Sequence, residues 1–400
     1  MIEDKGAVVP VLDLVREKDT PLDPPRHYAE LRQEAPLSRI SMGPGAPEAW
    51  LVTRYEDARA VLAHSAVSTD TSRPGFPARS PMAMPDGFFL FHDDPVHALF
   101  RKVLTREFMV KRIEALRAPT ARIFDGLLAR MVEQGPPVDF VEAMALPLPS
   151  LVISELLGVP YEDHKFFQDH SKVLIAITAT GEEKAAAQRA LSEYLLTLVE
   201  ERRREPADDL ITRLGQQVDA GTFSARDAAD VGSFLLFAGH ETTANMIGLG
   251  VLALLEHPEQ QARLHAGPAE LAAAVEELLR YLTIAQTGLA RVATDDVTVG
   301  DVTIRAGEGV IILLNSANRD ESVFQDADSL DLARPNARQH VAFGYGIHQC
   351  LGQPLARMEL QVVLPEVFRR LPNLRIADGQ EVAYKQASSA YGAEFMPVTW

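Results

Sequence analysis

The 400-residue chain carries 39 basic and 56 acidic side chains, a formal net charge of −17, with 46% hydrophobic and 24% charged residues. This is ordinary globular composition. The acidic excess excludes a general nucleic-acid binder, which needs clustered Lys and Arg to neutralise phosphates. The single cysteine, Cys350, excludes an intramolecular disulfide framework and a multi-cysteine zinc site. Prolines are spread throughout, with no Gly/Ser linker and no internal repeat, so residues 1–400 are expected to form one domain. The N-terminus has early charges and no continuous apolar core, so neither a signal peptide nor a membrane anchor is expected, and the cytoplasm is the expected location.

In chain order, Pro25–Glu34 reads as a helix, Ala49–Thr53 as a strand and Tyr55–Ala63 as a helix. Residues 64–90 read as a proline-rich loop that also carries Phe76, Met82, Met84, Phe88 and Phe89. Apolar residues on a loop either fold down on the core or form a lid over an apolar ligand. Residues 96–205 read as several helices, including Leu99–Phe108, Ile113–Gln134 and Ala186–Arg204. Ser224 with Asp227 resembles a capping box opening a helix that runs to about Glu256, before His257 and Pro258. At 1.5 Å per residue that helix is ~48 Å long, and apolar residues on most faces send it through the centre of the molecule. Pro258–Ala266 and Pro268–Leu282 read as further helices. Residues 288–314 then alternate with β-branched residues and turn at Gly300 and Gly307, predicting a small antiparallel sheet. Coil from Asn315 to His340 leads to a last helix from about Leu351 to Leu371, with Pro365 inside it as an expected kink. The expected fold class is mainly α with a minor β region.

The densest chemical signal is Phe343-Gly344-Tyr345-Gly346-Ile347-His348-Gln349-Cys350-Leu351-Gly352. A lone cysteine is commonly a small buried hydrophobe. Here glycines let the backbone turn sharply towards something flat, and Cys350 sits just before a helix N-terminus that favours a thiolate. With no partner cysteines for zinc or an iron–sulfur cluster, a haem iron is the natural candidate. The segment resembles the cysteine-ligand loop of the haem-thiolate monooxygenases, the cytochrome P450 superfamily, in its soluble actinobacterial form. The resemblance implies haem b (iron protoporphyrin IX) as cofactor and Cys350 as the iron ligand. It implies that Phe343 packs beside the sulfur, with Gly344 and Gly352 shaping the loop, and that His348 contacts a haem propionate.

Three further matches support it. On the long helix, Leu235, Ala238, Gly239 and Thr242 share one face at i, i+3, i+4 and i+7, and Ala238 and Gly239 at its centre leave room for a flat ring and a diatomic ligand, so both are expected cofactor contacts. Read alone, Thr242 simply bonds the carbonyl of Ala238; by resemblance, Glu241 and Thr242 are the catalytic pair that supplies protons during oxygen activation. Glu277 and Arg280, spaced i, i+3, read alone as a surface pair. By resemblance they form, with Arg334, a structural cluster that fixes the coil before the cysteine loop. His97, Arg101 and Arg291 match the family's propionate ligands, for which bidentate Arg–carboxylate contacts suit the task.

The resemblance implies a triangular helical fold with the long helix over the haem, and an enzyme that inserts one atom of O2 into a C–H or C=C bond. Electrons would come from a ferredoxin and its reductase, docking on a basic patch of Lys102, Arg106, Lys111, Arg112 and Arg357. The expected substrate is an apolar small molecule lined by Phe88, Phe89, Leu235, Ala238, Thr287 and Phe395. A macrolide polyketide is the first expectation, and a terpenoid or steroid the second. A haem-thiolate sensor would not need Glu241 and Thr242, and a cysteine hydrolase would need a base near Cys350 other than His348, two residues away.

Overall fold

The computed structural model describes residues 10–41, 43, 47–78 and 84–400. Met82, expected on the apolar loop, lies outside the described residues. Helices α1 (His27–Glu34) and α2 (Tyr55–Ala63) flank strands β1 (Leu37–Ser41) and β2 (Glu48–Val52), and β3 (Val67–Ser68) follows. The helical body comprises α3 (Val96–Thr105), α4 (Val110–Ala115), α5 (Arg117–Gln134), α6 (Pro147–Leu157), α7 (His164–Ile175), α8 (Gly181–Arg204), α9 (Leu210–Asp219), α10 (Ala225–Glu256) and α11 (Pro268–Leu282), with strand β4 (Val138–Asp139) between α5 and α6. Strands β5 (Leu289–Ala293), β6 (Val297–Val299), β7 (Val302–Ile304) and β8 (Gly309–Ile312) come next. Helices α12 (Leu314–Ala317) and α13 (Gln353–Arg370), then β9 (Arg375–Ile376), β10 (Ala383–Tyr384), β11 (Ala393–Phe395) and β12 (Pro397–Thr399), complete the chain.

The long helix begins where the capping box requires. Ser224 Oγ accepts from the Asp227 N–H at 3.1 Å, and Asp227 accepts in return from the Ser224 N–H at 2.8 Å. Pro258, with no N–H to offer, closes the other end. Helix α10 packs against α6, α8 and α13 at once, so it runs through the main core. A second capping box, Thr180 with Glu183, starts α8 at Gly181, five residues before the position expected from its apolar pattern. The expected Ile113–Gln134 helix is broken at Leu116. Pro119 sits in the first turn of α5, and its missing N–H ends the run from α4. The helical stretch expected from Pro258 is a 3₁₀ helix, Pro258–His265, whereas α13 continues through Pro365.

The expected antiparallel sheet is mixed. β5 pairs antiparallel with β8 and β6 with β7, but β8 runs parallel to β2, which no local signal in residues 288–314 encodes. The resulting five-stranded sheet, ordered β1-β2-β8-β5-β3, buries a second apolar cluster beside α2. The architecture is mainly α with small sheets, as expected.

Candidate active site around Cys350

The cysteine loop is a tight backbone construction. The Gly344 N–H donates to the Val341 carbonyl at 2.8 Å, the Gln349 N–H to Gly346 at 3.1 Å and the Cys350 N–H to Phe343 at 2.9 Å. Gly344 and Gly346 take positive φ, 72° and 77°, and a Cβ on Gly346 would lie 2.6 Å from the Leu62 carbonyl oxygen. Sγ of Cys350 receives the N–H groups of Gly352 and Gln353, where α13 opens. Burial pushes the thiol up, while those N–H groups, Arg101 and Arg357 favour the thiolate. Cys350 is nevertheless solvent-accessible although it lies deep in the protein. A side chain with both properties faces an internal void.

Helix α10 has the same character. From Ala228 to Leu254 every residue is buried except Phe237, Ala238, Gly239 and Thr242, and Thr242 is exposed in the middle of the molecule. Its hydroxyl donates to the Ala238 carbonyl at 2.8 Å. A Cβ on Gly239 would meet Ile153 at 3.2 Å, so this glycine serves the close approach of α6, and Ala238 and Thr242 carry the open face. Leu235, one turn earlier, is 6% exposed.

Four nitrogen-bearing side chains gather near the cysteine loop with capacity to spare. The His97 and His348 rings lie 4.1 Å apart. His97 Nδ1 contacts Asp94 at 3.3 Å, but its Nε2 and the Nδ1 of His348 are buried without a partner among the described residues. Burial, with His97 and Arg291 nearby, pushes His348 down to about 3. Burial also lowers Arg291, to about 10, and Arg101. Among the described residues neither arginine has an ion pair; Arg291 donates only to the Ala290 carbonyl, at 2.7 Å. Buried donors are rarely left unpaired. Two guanidinium groups and two imidazoles beside a void, next to an accessible thiol, are the donor set a dianionic flat macrocycle with an axial sulfur ligand requires. The residues fit a haem.

The neighbouring scaffold is fully satisfied. Glu277 and Arg280 are both 0% exposed and joined by two bonds of 2.7 and 2.8 Å. Arg334 Nε lies 3.0 Å from the same carboxylate. Arg280 and Arg334 then donate to the carbonyls of Asn318, Gln325, Asp326, Ala327 and Ser329, which ties the coil to α11. Beside them Glu276 holds His340 at 3.0 Å and Arg357 at 2.7 Å. Arg357 is therefore committed to Glu276, and Arg112 pairs with Glu107 at 3.2 Å. The expected basic patch reduces to Lys102, Arg106 and Lys111, exposed beside Leu99, Met109 and Val110.

The expected ligand contacts divide. Phe88 and Phe89 are 2% exposed and pack on Phe234 with centroids at 5.3 Å, so they are core residues in this structure. Thr287 is half-buried and Phe395, on β11, is 40% exposed. One partner escaped sequence reasoning altogether. Lys385 Nζ lies 2.9 Å from Glu241 Oε2 and 2.8 Å from Asn245 Oδ1. At a separation of 144 residues, no spacing in the sequence could have signalled it.

Comparison with known proteins agrees with this geometry. The Cytochrome P450 family matches residues 14–267 and 270–383. Cytochrome P450-SU2 of Streptomyces griseolus is 47% identical over 390 residues, 96% of each chain. The pentalenic acid synthase of Streptomyces avermitilis is 45% identical over 406 residues, covering both chains completely. Among solved structures, the mycinamicin VIII methyl hydroxylase MycCI of Micromonospora griseorubida, with mycinamicin VIII bound, superposes with a TM-score of 0.86 at 42% identity, covering 94% of this chain and 96% of that one. No helix among the described residues is long and apolar enough to cross a membrane. The chain belongs to the cytochrome P450 family and is a monooxygenase with haem b as its cofactor.

Proposed function

We propose that this monooxygenase hydroxylates or epoxidises an apolar secondary metabolite in the cytoplasm, with electrons from a ferredoxin and its reductase. The observation that carries the reading is that Cys350 on the loop, and Ala238 and Thr242 on the otherwise buried α10, are accessible although both elements belong to the interior. These residues would hold the haem. When bound, it would supply the oxygen-activating redox chemistry, with a thiolate ligand donating electron density to the iron.

The chain's own residues do the rest. Cys350 would bind the iron through its thiolate, whose charge the N–H groups of Gly352 and Gln353 steady. Phe343 shields the sulfur, while Gly344 lets the loop lie flat. His97, Arg101, Arg291 and His348 would hold the propionates. Glu241 and Thr242 hold and pass protons, a carboxylate beside an alcohol being suited to relay. Ala238, Leu235 and Thr287 line the substrate space, with Phe395 at its exposed edge.

The likeness to a pentalenic acid synthase and to a hydroxylase solved with mycinamicin VIII supports secondary metabolism. A macrolide-type polyketide is our reading of the substrate. The test is a spectral titration of the purified protein against macrolides, terpenoids and steroids, followed by turnover with a ferredoxin system. A Soret shift and oxygenated product with a macrolide are expected. A response confined to steroids or terpenoids overturns the macrolide reading, and absence of any oxygenated product overturns the wider one.

A further inference from the structure

We propose that the hairpin joining β10 to β11 is a strap that couples the α7–α8 connection to Glu241, with Lys385 as the positioning residue for that carboxylate. The inference rests on the reading of Glu241 as a proton-handling group, and adds what holds it and what releases it.

One end of the strap is fixed on α10. Lys385 bridges Glu241 and Asn245, which lie one helical turn apart, at 2.9 and 2.8 Å. Asn245 Nδ2 donates back to the Ala390 carbonyl at 3.1 Å, so one asparagine grips both sides of the hairpin. The approach is close enough that a Cβ on Gly392 would lie 2.1 Å from Asn245 Oδ1. The Lys385 and Glu241 side chains are 13% and 6% exposed. A charge this sheltered depends on its partner, because removing one member leaves the other desolvated and unpaired.

The other end reaches a different part of the molecule. The Ile177 N–H donates to the Ala387 carbonyl at 3.1 Å, and Ala176 pairs antiparallel with Ser388. These residues belong to the exposed connection between α7 and α8, and Ile177 is 37% exposed. Between the ends, Gln286 holds the hairpin twice, its N–H to the Ser389 carbonyl at 3.0 Å and its side chain to Gln386 at 2.9 Å. Only two residues, Gln386 and Ala387, lie between Lys385 and Ser388, so the two attachments share one short segment of backbone.

The consequence is mechanical. While the α7–α8 connection is seated on 387–388, Lys385 is held against Glu241 and the carboxylate has one position. When the connection lifts, Ala387 loses its outer partner, the segment is held by Gln286 and Gly392, and the hold on the lysine loosens. Coupling of this kind acts in both directions: a change at Lys385 must loosen the connection to the same degree.

Hydrogen–deuterium exchange on the haem-loaded enzyme reads that reciprocity directly. Lys385→Met should raise exchange in peptides covering 177–180 at least about threefold, although it touches none of them. Ile177→Pro removes the donor to Ala387. It should raise exchange across 385–391 by a similar factor, and Ala176 already has the extended backbone (φ −64°, ψ 122°) that a following proline needs. Lys385→Arg should keep protection at both ends, so the proposal stays testable if the methionine variant folds poorly. An unchanged ferrous–CO spectrum verifies the fold of each variant. Exchange at the far end within error of wild type in both Lys385→Met and Ile177→Pro overturns the strap. Product formed per reductant consumed should fall in Lys385→Met at equal haem content, as in Glu241→Gln. If Glu241→Gln leaves that ratio unchanged, the relay reading fails separately, whatever the exchange shows.

Discussion

Two neighbouring regions of this molecule treat buried charge in opposite ways. Around Glu277, the guanidinium nitrogens of Arg280 and Arg334 all bond to its carboxylate or to backbone carbonyls of the coil. Around Cys350, two arginines without ion pairs and two imidazole nitrogens without partners among the described residues sit beside an accessible thiol. The difference separates scaffold from site. A polar cluster that closes on itself rigidifies the chain; one that stays open is built for something the chain does not itself contain.

The contrast breaks most violently at Glu277. Glu277→Ala leaves Arg280 and Arg334 buried against each other, and should cost about 3–5 kcal/mol of stability. Thermal unfolding of the haem-loaded protein would measure it, and a loss below about 1 kcal/mol would remove the cluster from the scaffold. Next in size is an acid-dependent effect at Glu276. Burial tends to raise this carboxylate, but hydrogen bonds from His340 and Arg357 hold it down to about 2 against an ordinary 4.5. Its contribution is therefore complete above about pH 4.5 and lost as pH falls towards 2, a difference on the order of 3 kcal/mol. Glu276→Gln should be less stable than wild type at neutral pH and converge with it in acid; parallel curves would refute the assignment.

On the open side the expected effects fall on chemistry more than on stability. Thr242→Ala deletes a hydroxyl that faces the void and bonds only its own helix, so unfolding should shift by about 1 kcal/mol at most. Product formed per electron consumed should drop about tenfold if the hydroxyl handles protons. A large loss of stability with intact coupling would make Thr242 scaffold. The smallest effect belongs to the surface. Reversing Lys102 and Arg106 should slow reduction by the ferredoxin a few-fold at low salt, with less effect as salt rises, and leave substrate titrations unaltered. Reduction at the wild-type rate would place docking elsewhere.

Much of this was legible in residue order. The capping box at Ser224 and the proline after His257 bracket α10 without reference to anything distant. The glycine–cysteine loop reads directly because its backbone conformation depends on residues within ten positions. Contacts made across the chain were not legible. Nothing near Gly309 announces that β8 will run parallel to β2, and nothing near Arg357 reveals its commitment to Glu276. Phe88 and Phe89 look the same in sequence whether they line a ligand or pack on Phe234; only tertiary burial separates the two. Glu241 was recognisable beside Thr242, whereas its lysine, from a strand turn near the C-terminus, was not.

The central claim is that the accessible thiol at Cys350 binds the haem iron. The direct measurement is the ferrous–CO difference spectrum of the wild-type protein and of Cys350→Ala, each supplied with haem. The account predicts a thiolate-type Soret band for wild type that disappears in the variant. The same band in both proteins, or a wild-type protein that stays colourless after reconstitution, would contradict it.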